Sequence, residues 1–314
     1  MKQSYLLIQI SHVGFLVKFA SMFAIDFIDR SFNKEASKEY SLSVQANQNG
    51  LAYCVFDDKA GRYIIFREHR FEDVHLTEDL IKNIGSVLEK DDILSLHFRS
   101  VRFLGYTQQS ALIPSVYFDK GNMHDYLTYN HGGEIDHELF SNIISPLGVH
   151  NVFAIHRELV SLISVSFSKI DFLNQTTPFL RHIAMDKGAW SKPAVYVGLN
   201  LGFFDLAAFG NDELKLYNTF QYVNETDILY YILFVYKQLA FDAQKVPLYI
   251  SGELSSKLSY FEILKQYIPE TGYAKVNGIP SLSSGIYRLN TLKFLNLLNL
   301  QTCELSAEHT EAEK

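Results

Sequence analysis

The chain has 314 residues, 47% hydrophobic and 20% charged, which supplies one large core or two ordinary ones and excludes a disordered chain. Its net charge is −7 and no dense lysine–arginine stripe occurs, so a nucleic-acid backbone is not the expected partner. The two cysteines, Cys54 and Cys303, exclude a disulfide framework and a cysteine-rich zinc site and suit a reducing, cytoplasmic compartment.

Taken in chain order, Tyr5 to Ile28 is apolar-rich behind Lys2, as in a signal peptide or anchor, but Gln9, Ser11, His12, Lys18, Ser21 and Asp26 interrupt it. A charge near the middle of a spanning helix costs about 2.5–3.5 kcal/mol on insertion scales, and no small-x-small cleavage site follows. No membrane insertion is expected; residues 1–28 read as a helical extension or as residues ahead of the true start. From Tyr40 the pattern is β. Tyr40 to Ala46 alternates, Leu51 to Phe56 and Tyr63 to Arg67 follow, and the turns between them at Asn47-Gln48-Asn49-Gly50 and Asp57-Asp58-Lys59-Ala60-Gly61 carry hairpin chemistry. This three-strand meander is followed by a helix over Thr77 to Glu89, capped by Thr77-Glu78-Asp79, and by a strand over Ser100 to Tyr106.

Between Met123 and Ala184 the pattern predicts a helix at Met123–Tyr129, a strand at Asn151–Ile155, a helix at Arg157–Val165, a strand at Lys169–Leu173 and a helix at Pro178–Ala184, read together as a small inserted unit. The first pattern then returns. Strands are expected at Val195–Leu201, Asp205–Phe209 and Glu213–Tyr222, then a helix capped by Asn224-Glu225-Thr226-Asp227 and running through Ala240, then a strand at Val246–Ile250. The order β-β-β-α-β occurs twice, about 154 positions apart, and internal duplication is its simplest account. Each copy predicts a mixed sheet with helices on its faces.

Three stretches stand at corresponding points of this frame: Gln45-Ala46-Asn47-Gln48-Asn49-Gly50 in the first hairpin, Asn200-Leu201-Gly202-Phe203-Phe204-Asp205 in the second, and Tyr249-Ile250-Ser251-Gly252-Glu253 at a strand-to-helix turn. Their order resembles the two phosphate loops and the nucleoside turn of the actin-like ATPase superfamily. The likeness is strongest to its pilus-assembly and cell-division branch, whose strand-helix entry resembles Val152 to Leu159, and to a Bacteroidetes family of unknown function with the same fold. The resemblance implies an α/β actin-like fold of two ribonuclease H-like halves with mixed sheets and a small inserted α/β subdomain. Its expected divisions are an extension at 1–28, a first half at 29–190 with the insertion at about 110–190, a second half at 191–303 and a disordered acidic tail at 304–314.

The departures from that family carry the functional reading. Where active members place an Asp and, two residues on, a Gly in the first loop, this chain has Gln45 and Asn47; in the second loop it has Asn200 and keeps only Gly202. One of the paired glycines of the nucleoside turn, beside Gly252, is Glu253. Neutral amides bring no negative charge to a divalent cation, so metal-assisted phosphoryl transfer should be badly weakened and no cofactor is expected. The leading reading is a non-catalytic actin-like scaffold or adaptor that binds another protein; the resembling pilus-assembly proteins dock partners on the inserted subdomain and the interdomain cleft. The alternative is a nucleotide-binding sensor whose halves close on ATP without efficient hydrolysis, because Gly202 and Gly252 still permit close backbone approach. A sugar-kinase-type enzyme needs a catalytic Asp at the cleft, and the pattern places none.

Other candidates read as structural. His131 and His137 flank Gly132-Gly133 near Glu134, Asp136 and Glu138, but without helical spacing they suit a solvated loop better than zinc. His69 and His75 read as a polar surface turn, His156 as a junction residue, and Cys54 as a small core side chain. Tyr230, Tyr231, Phe234 and Tyr236 are expected as core aromatics of the long helix. No Gly-x-Ser-x-Gly elbow, Gly-x-Gly-x-x-Gly or P-loop signature occurs.

Overall fold

A computed structural model describes residues 24–72, 74, 76–132, 137–186, 188, 190–253, 258–286 and 289–304, with the side chains of 258–260 left aside. The expectations for most of the extension and of the tail, and for His75, Glu134 and Asp136, lie outside the described residues.

The meander forms as β2 (Tyr40–Asn47), β3 (Gly50–Asp57) and β4 (Arg62–Arg70), followed by α1 (Thr77–Lys90) and β5 (Ser100–Gly105). Its repeat forms as β10 (Ala194–Leu199), β11 (Phe203–Gly210), β12 (Glu213–Gln221), α5 (Glu225–Gln238) and β13 (Leu248–Gly252). Asn224 caps α5 by accepting from the Thr226 and Asp227 amides, and Asp227 reaches back to the Asn224 amide, a reciprocal capping box. At α1 the cap is weaker: the flanking residue is Leu76, whose amide donates to Asp79 at 3.4 Å.

The same strand order recurs in the pairing. With β9 (Ile170–Asn174) the first sheet runs β4-β3-β2-β5-β9; with β14 (Thr271–Tyr273) the second runs β12-β11-β10-β13-β14. In both, the meander is antiparallel and the last two strands join in parallel, as a crossover helix requires. The first sheet is extended at its β4 edge by β1 (Ile25–Ile28) and β15 (Ser281–Leu282).

A third, three-stranded sheet lies between the two larger ones in the chain. It runs β6 (Ser110–Pro114), β8 (Val149–His156) and β7 (His137–Ile144), with α2 (Met123–His131) packed on it. The strand expected within the inserted unit at 169–173 instead pairs in parallel with β5, and α3 (Arg157–Ser166) packs beside α1 on the first sheet through Leu159 and Ile163. Strand pairing partners lie far apart in sequence, so periodicity alone assigned these elements to their chain neighbours.

Both larger sheets are covered on both faces. Leu42, Val44, Tyr53, Val55 and Phe103 meet α1 and α3, while Cys54, Phe66 and Leu104 meet the returning chain around α7 (Leu295–Asn299). In the second sheet Val195, Val197, Phe204 and Leu206 meet α5 and α6 (Leu258–Tyr267), and Ala207 and Phe209 meet α4 (Thr176–Met185). The Tyr63 hydroxyl donates to the Leu298 carbonyl at 2.7 Å, and Phe66 meets Phe294 edge-on at 4.7 Å, so the returning chain is part of the first core. Cys54 is a buried core thiol as expected, its pKa raised by burial. Tyr230 and Phe234 differ from expectation. Tyr236 is buried and Tyr231 partly so, but Tyr230 is 61% and Phe234 47% exposed, because α5 has only one covered face.

Candidate functional site

The strand ends of the two larger sheets face each other across a narrow cleft. Gln45 and Asn47 come to it from the first hairpin, Asn200 from the second, and Gly252 and Glu253 from the end of β13. Five of the six residues picked from the sequence therefore converge. Gly202 does not line the cleft; it sits in the β10–β11 turn with positive φ (76°) and open space around it.

A fourth contributor went unread in the sequence. Leu292, Lys293, Leu295 and Asn296, on the chain returning from the second sheet to the first, line the same cleft and leave about 20 Å³ of free volume. That is room for about one water, whereas ligand sites typically span about 300–1,000 Å³. The residues present do not fit a nucleotide with a hydrated cation in this arrangement.

Most of these polar groups are committed internally. The Asn47 side chain accepts from the Asn49 amide at 2.9 Å, folding its own turn. Asn200 Nδ2 donates to Asp205 Oδ2 at 2.9 Å, and the Asn200 carbonyl accepts from the Tyr222 hydroxyl at 2.7 Å. The Gly252 amide donates to the Leu292 carbonyl at 2.9 Å and the Glu253 amide to the Leu199 carbonyl at 2.8 Å. Gly252 has φ 94°, and a Cβ there would lie 2.1 Å from the Leu199 carbonyl oxygen, so its glycine serves strand packing. Gln45 is 6% exposed, and its Oε1 has no hydrogen-bond partner among the described residues.

The electrostatics are set by Lys293 with its two carboxylate partners and by Asp205. Lys293 Nζ lies 2.7 Å from Glu68 Oε1 on β4 and 3.6 Å from Glu253 Oε2, linking the first sheet to the second. Asp205, on β11, is 1% exposed and accepts from Asn200, from the Tyr217 hydroxyl at 2.7 Å and the Thr219 hydroxyl at 2.9 Å, with Gln175 Nε2 at 3.4 Å. Burial holds its carboxyl above the ordinary value against the pull of these donors. Its alternation with Phe204 and Leu206 was the available signal: both flank it on the face buried against α5, and Asp205 points the other way, toward Gln175.

A second polar cluster lies in the first half. Asp91 accepts from the Tyr53 hydroxyl at 2.9 Å, from Arg67 at 3.2 Å and from the Ile93 and Leu94 amides, and its Oδ2 lies 3.0 Å from His69 Nε2. His69, expected on a surface turn, is 3% exposed because it belongs to the strand β4 and points under the chain that leaves α1. Every Asp91 oxygen is engaged, so this cluster pins that chain to the sheet. Among the described residues the remaining histidines do not assemble. His131 bonds the Ser110 carbonyl at 2.9 Å, and the His137 and His156 rings meet edge-on at 5.4 Å. Among the described residues no group of three or more His, Cys, Asp or Glu could hold a metal.

Residues 29–271 match the family model described as "Protein of unknown function (DUF3822)". The chain belongs to this family. No curated protein matches it significantly. Among solved structures it resembles a Bacteroides thetaiotaomicron protein with an actin-like ATPase fold and unknown function, at TM-score 0.75 and 21% identity over 87% of this chain and 99% of that one. It also resembles a chain of the PilM–PilN type IV pilus biogenesis complex, at TM-score 0.57 and 11% identity over 83% of this chain and 97% of that one. The fold is the actin-like ATPase fold, as the order of the three loop stretches implied. At these identities the likeness carries the fold alone.

Proposed function

We propose that this DUF3822 chain is a non-catalytic actin-like scaffold or adaptor that binds another protein in the cytoplasm. One observation carries the reading: the chain's own Leu292, Lys293, Leu295 and Asn296 wall the cleft down to about 20 Å³, with Lys293 bridging carboxylates of both sheets where a cation-dependent ATPase needs open space. The neutral residues at Gln45 and Asn200 support it, since neither supplies charge to a divalent ion. The PilM neighbour is a protein found in complex with another protein, which agrees with a scaffold role. No described helix is long and apolar enough to cross a membrane.

The test has two arms. A ligand at one hundred times its Kd stabilises by about 2.7 kcal/mol, several degrees of melting temperature, so ATP with magnesium at millimolar concentration should leave the melt unmoved. A clear upward shift would favour the nucleotide sensor, and metal-dependent ATPase activity abolished by Asn200→Ala would end the scaffold reading. In the second arm, the chain is co-expressed with proteins encoded beside it. A stoichiometric complex on size exclusion that survives Asn200→Ala is the expected result.

A further inference from the structure

A second cavity, of about 520 Å³, opens between α4 and the face of β10 and β13 turned away from α5. Its size lies within the range of small-molecule sites, about 300–1,000 Å³. Phe179, Ile183 and Leu295 form part of its apolar wall. Tyr196 and Tyr249 stand side by side on its sheet wall, ring centroids 5.2 Å apart and 30° between planes, presenting a broad aromatic surface.

The rim has the opposite sign to the chain. Lys192, Lys245 and Lys275 line the opening against one carboxylate, Asp186, although the net charge of the whole chain is −7. Lys245 is paired with Asp242 at 3.1 Å, while among the described residues neither Lys192 nor Lys275 has an ion-pair partner. His182 adds no charge at neutral pH. Its Nε2 donates to the Lys275 carbonyl at 2.8 Å and burial lowers its pKa. An apolar and aromatic floor under two ammonium groups that have no ion-pair partner among the described residues selects for a molecule with an apolar body and a negative head.

We propose that this cavity binds a small amphipathic organic anion, its ring or chain against Phe179, Tyr196 and Tyr249 and its head group at the Lys192–Lys275 rim. The site is independent of the scaffold reading. It shares Ser251, Leu295 and Asn296 with the closed cleft, so a bound anion would press on the segment that carries Lys293.

The experiment titrates the full chain with 8-anilinonaphthalene-1-sulfonate and with its neutral relative N-phenyl-1-naphthylamine, reading fluorescence. The sulfonate should bind saturably at one site and be displaced by decanoate but not by decanol. Lys192→Glu with Lys275→Glu, both at exposed rim positions, should weaken the sulfonate at least tenfold and change the neutral probe less than twofold. Ala274→Trp, which fills the cavity, should abolish both signals while circular dichroism confirms a folded chain. Non-saturable sulfonate binding, or binding untouched by the lysine pair and by Ala274→Trp, overturns the proposal. Equal losses of both probes in the lysine pair overturn its anionic part.

Discussion

Replacing Lys293 by Met tests whether the returning chain clamps the two sheets electrostatically. The ammonium lies 2.7 Å from Glu68 Oε1 and 3.6 Å from Glu253 Oε2, with side-chain exposures of 20%, 8% and 34%. Breaking a fully buried pair costs about 3–5 kcal/mol because a charge is left unpaired, and an exposed pair is worth about 0–1 kcal/mol. This bridge lies between those limits, and Lys293→Met should cost about 2 kcal/mol, or about 4–8 °C at the slope of a larger domain. Arg70 cannot rescue Glu68, since it stands 3.9 Å from the other oxygen and is 69% exposed. The penalty resides in the stranded carboxylate. Adding Glu68→Gln to Lys293→Met should therefore recover at least about 1 kcal/mol in a double-mutant cycle measured by urea unfolding. A single-variant cost below about 0.5 kcal/mol, or one unchanged by Glu68→Gln, refutes the clamp.

The other predictions concern the same two sheets. Gly252→Ala should cost more than about 2 kcal/mol, because its Cβ meets the Leu199 carbonyl at 2.1 Å, while Gly202→Ala, with open space around it, should cost about 1 kcal/mol for its positive φ alone; comparable melts for the two would contradict the packing role. Burial raises the Asp205 pKa above 3.8, so the folded chain holds that proton more tightly than the unfolded one. Its contribution is complete below 3.8 and is lost as pH rises through the folded-state value. Asp205→Asn should accordingly approach wild-type stability as pH rises from 3.8, and a gap that widens in pH-dependent urea melts would reverse the assignment. Asp91 behaves oppositely. Burial alone would raise it, but His69, the Ile93 and Leu94 amides and Tyr53 together hold it at about 2. Its contribution is present above 3.8 and lost as pH falls through about 2, so Asp91→Asn should cost about 2–3 kcal/mol at pH 7 and progressively less below 3.8.

The elements most legible in the sequence are those whose signal is local. The alternation of Tyr40 to Ala46, the turn Asn47-Gln48-Asn49-Gly50 and the Asn224–Asp227 box each act within a few residues, and their strands and helix form within about two residues of the expected ends. The duplicated order was readable for the same reason, and with it the fold. The strands β6, β7 and β14 were missed because their neighbours in the sheet, not their own pattern, stabilise them. Tyr230 and Phe234 were misplaced because hydrophobicity around α5 does not say which face the sheet covers.

At the candidate site the division is sharper. Residue chemistry alone established that Gln45 and Asn200 bring no negative charge, since that property needs no neighbours. Which group then faces which is a matter of distance across the chain. Asn200 turns to Asp205 five residues on, but Lys293 meets Glu68 across 225 positions, and only closure of both sheets brings them to 2.7 Å. The narrow cleft and the open cavity that shares its wall are likewise products of where the returning chain comes to rest, because free volume belongs to the packing of many segments and to no single one.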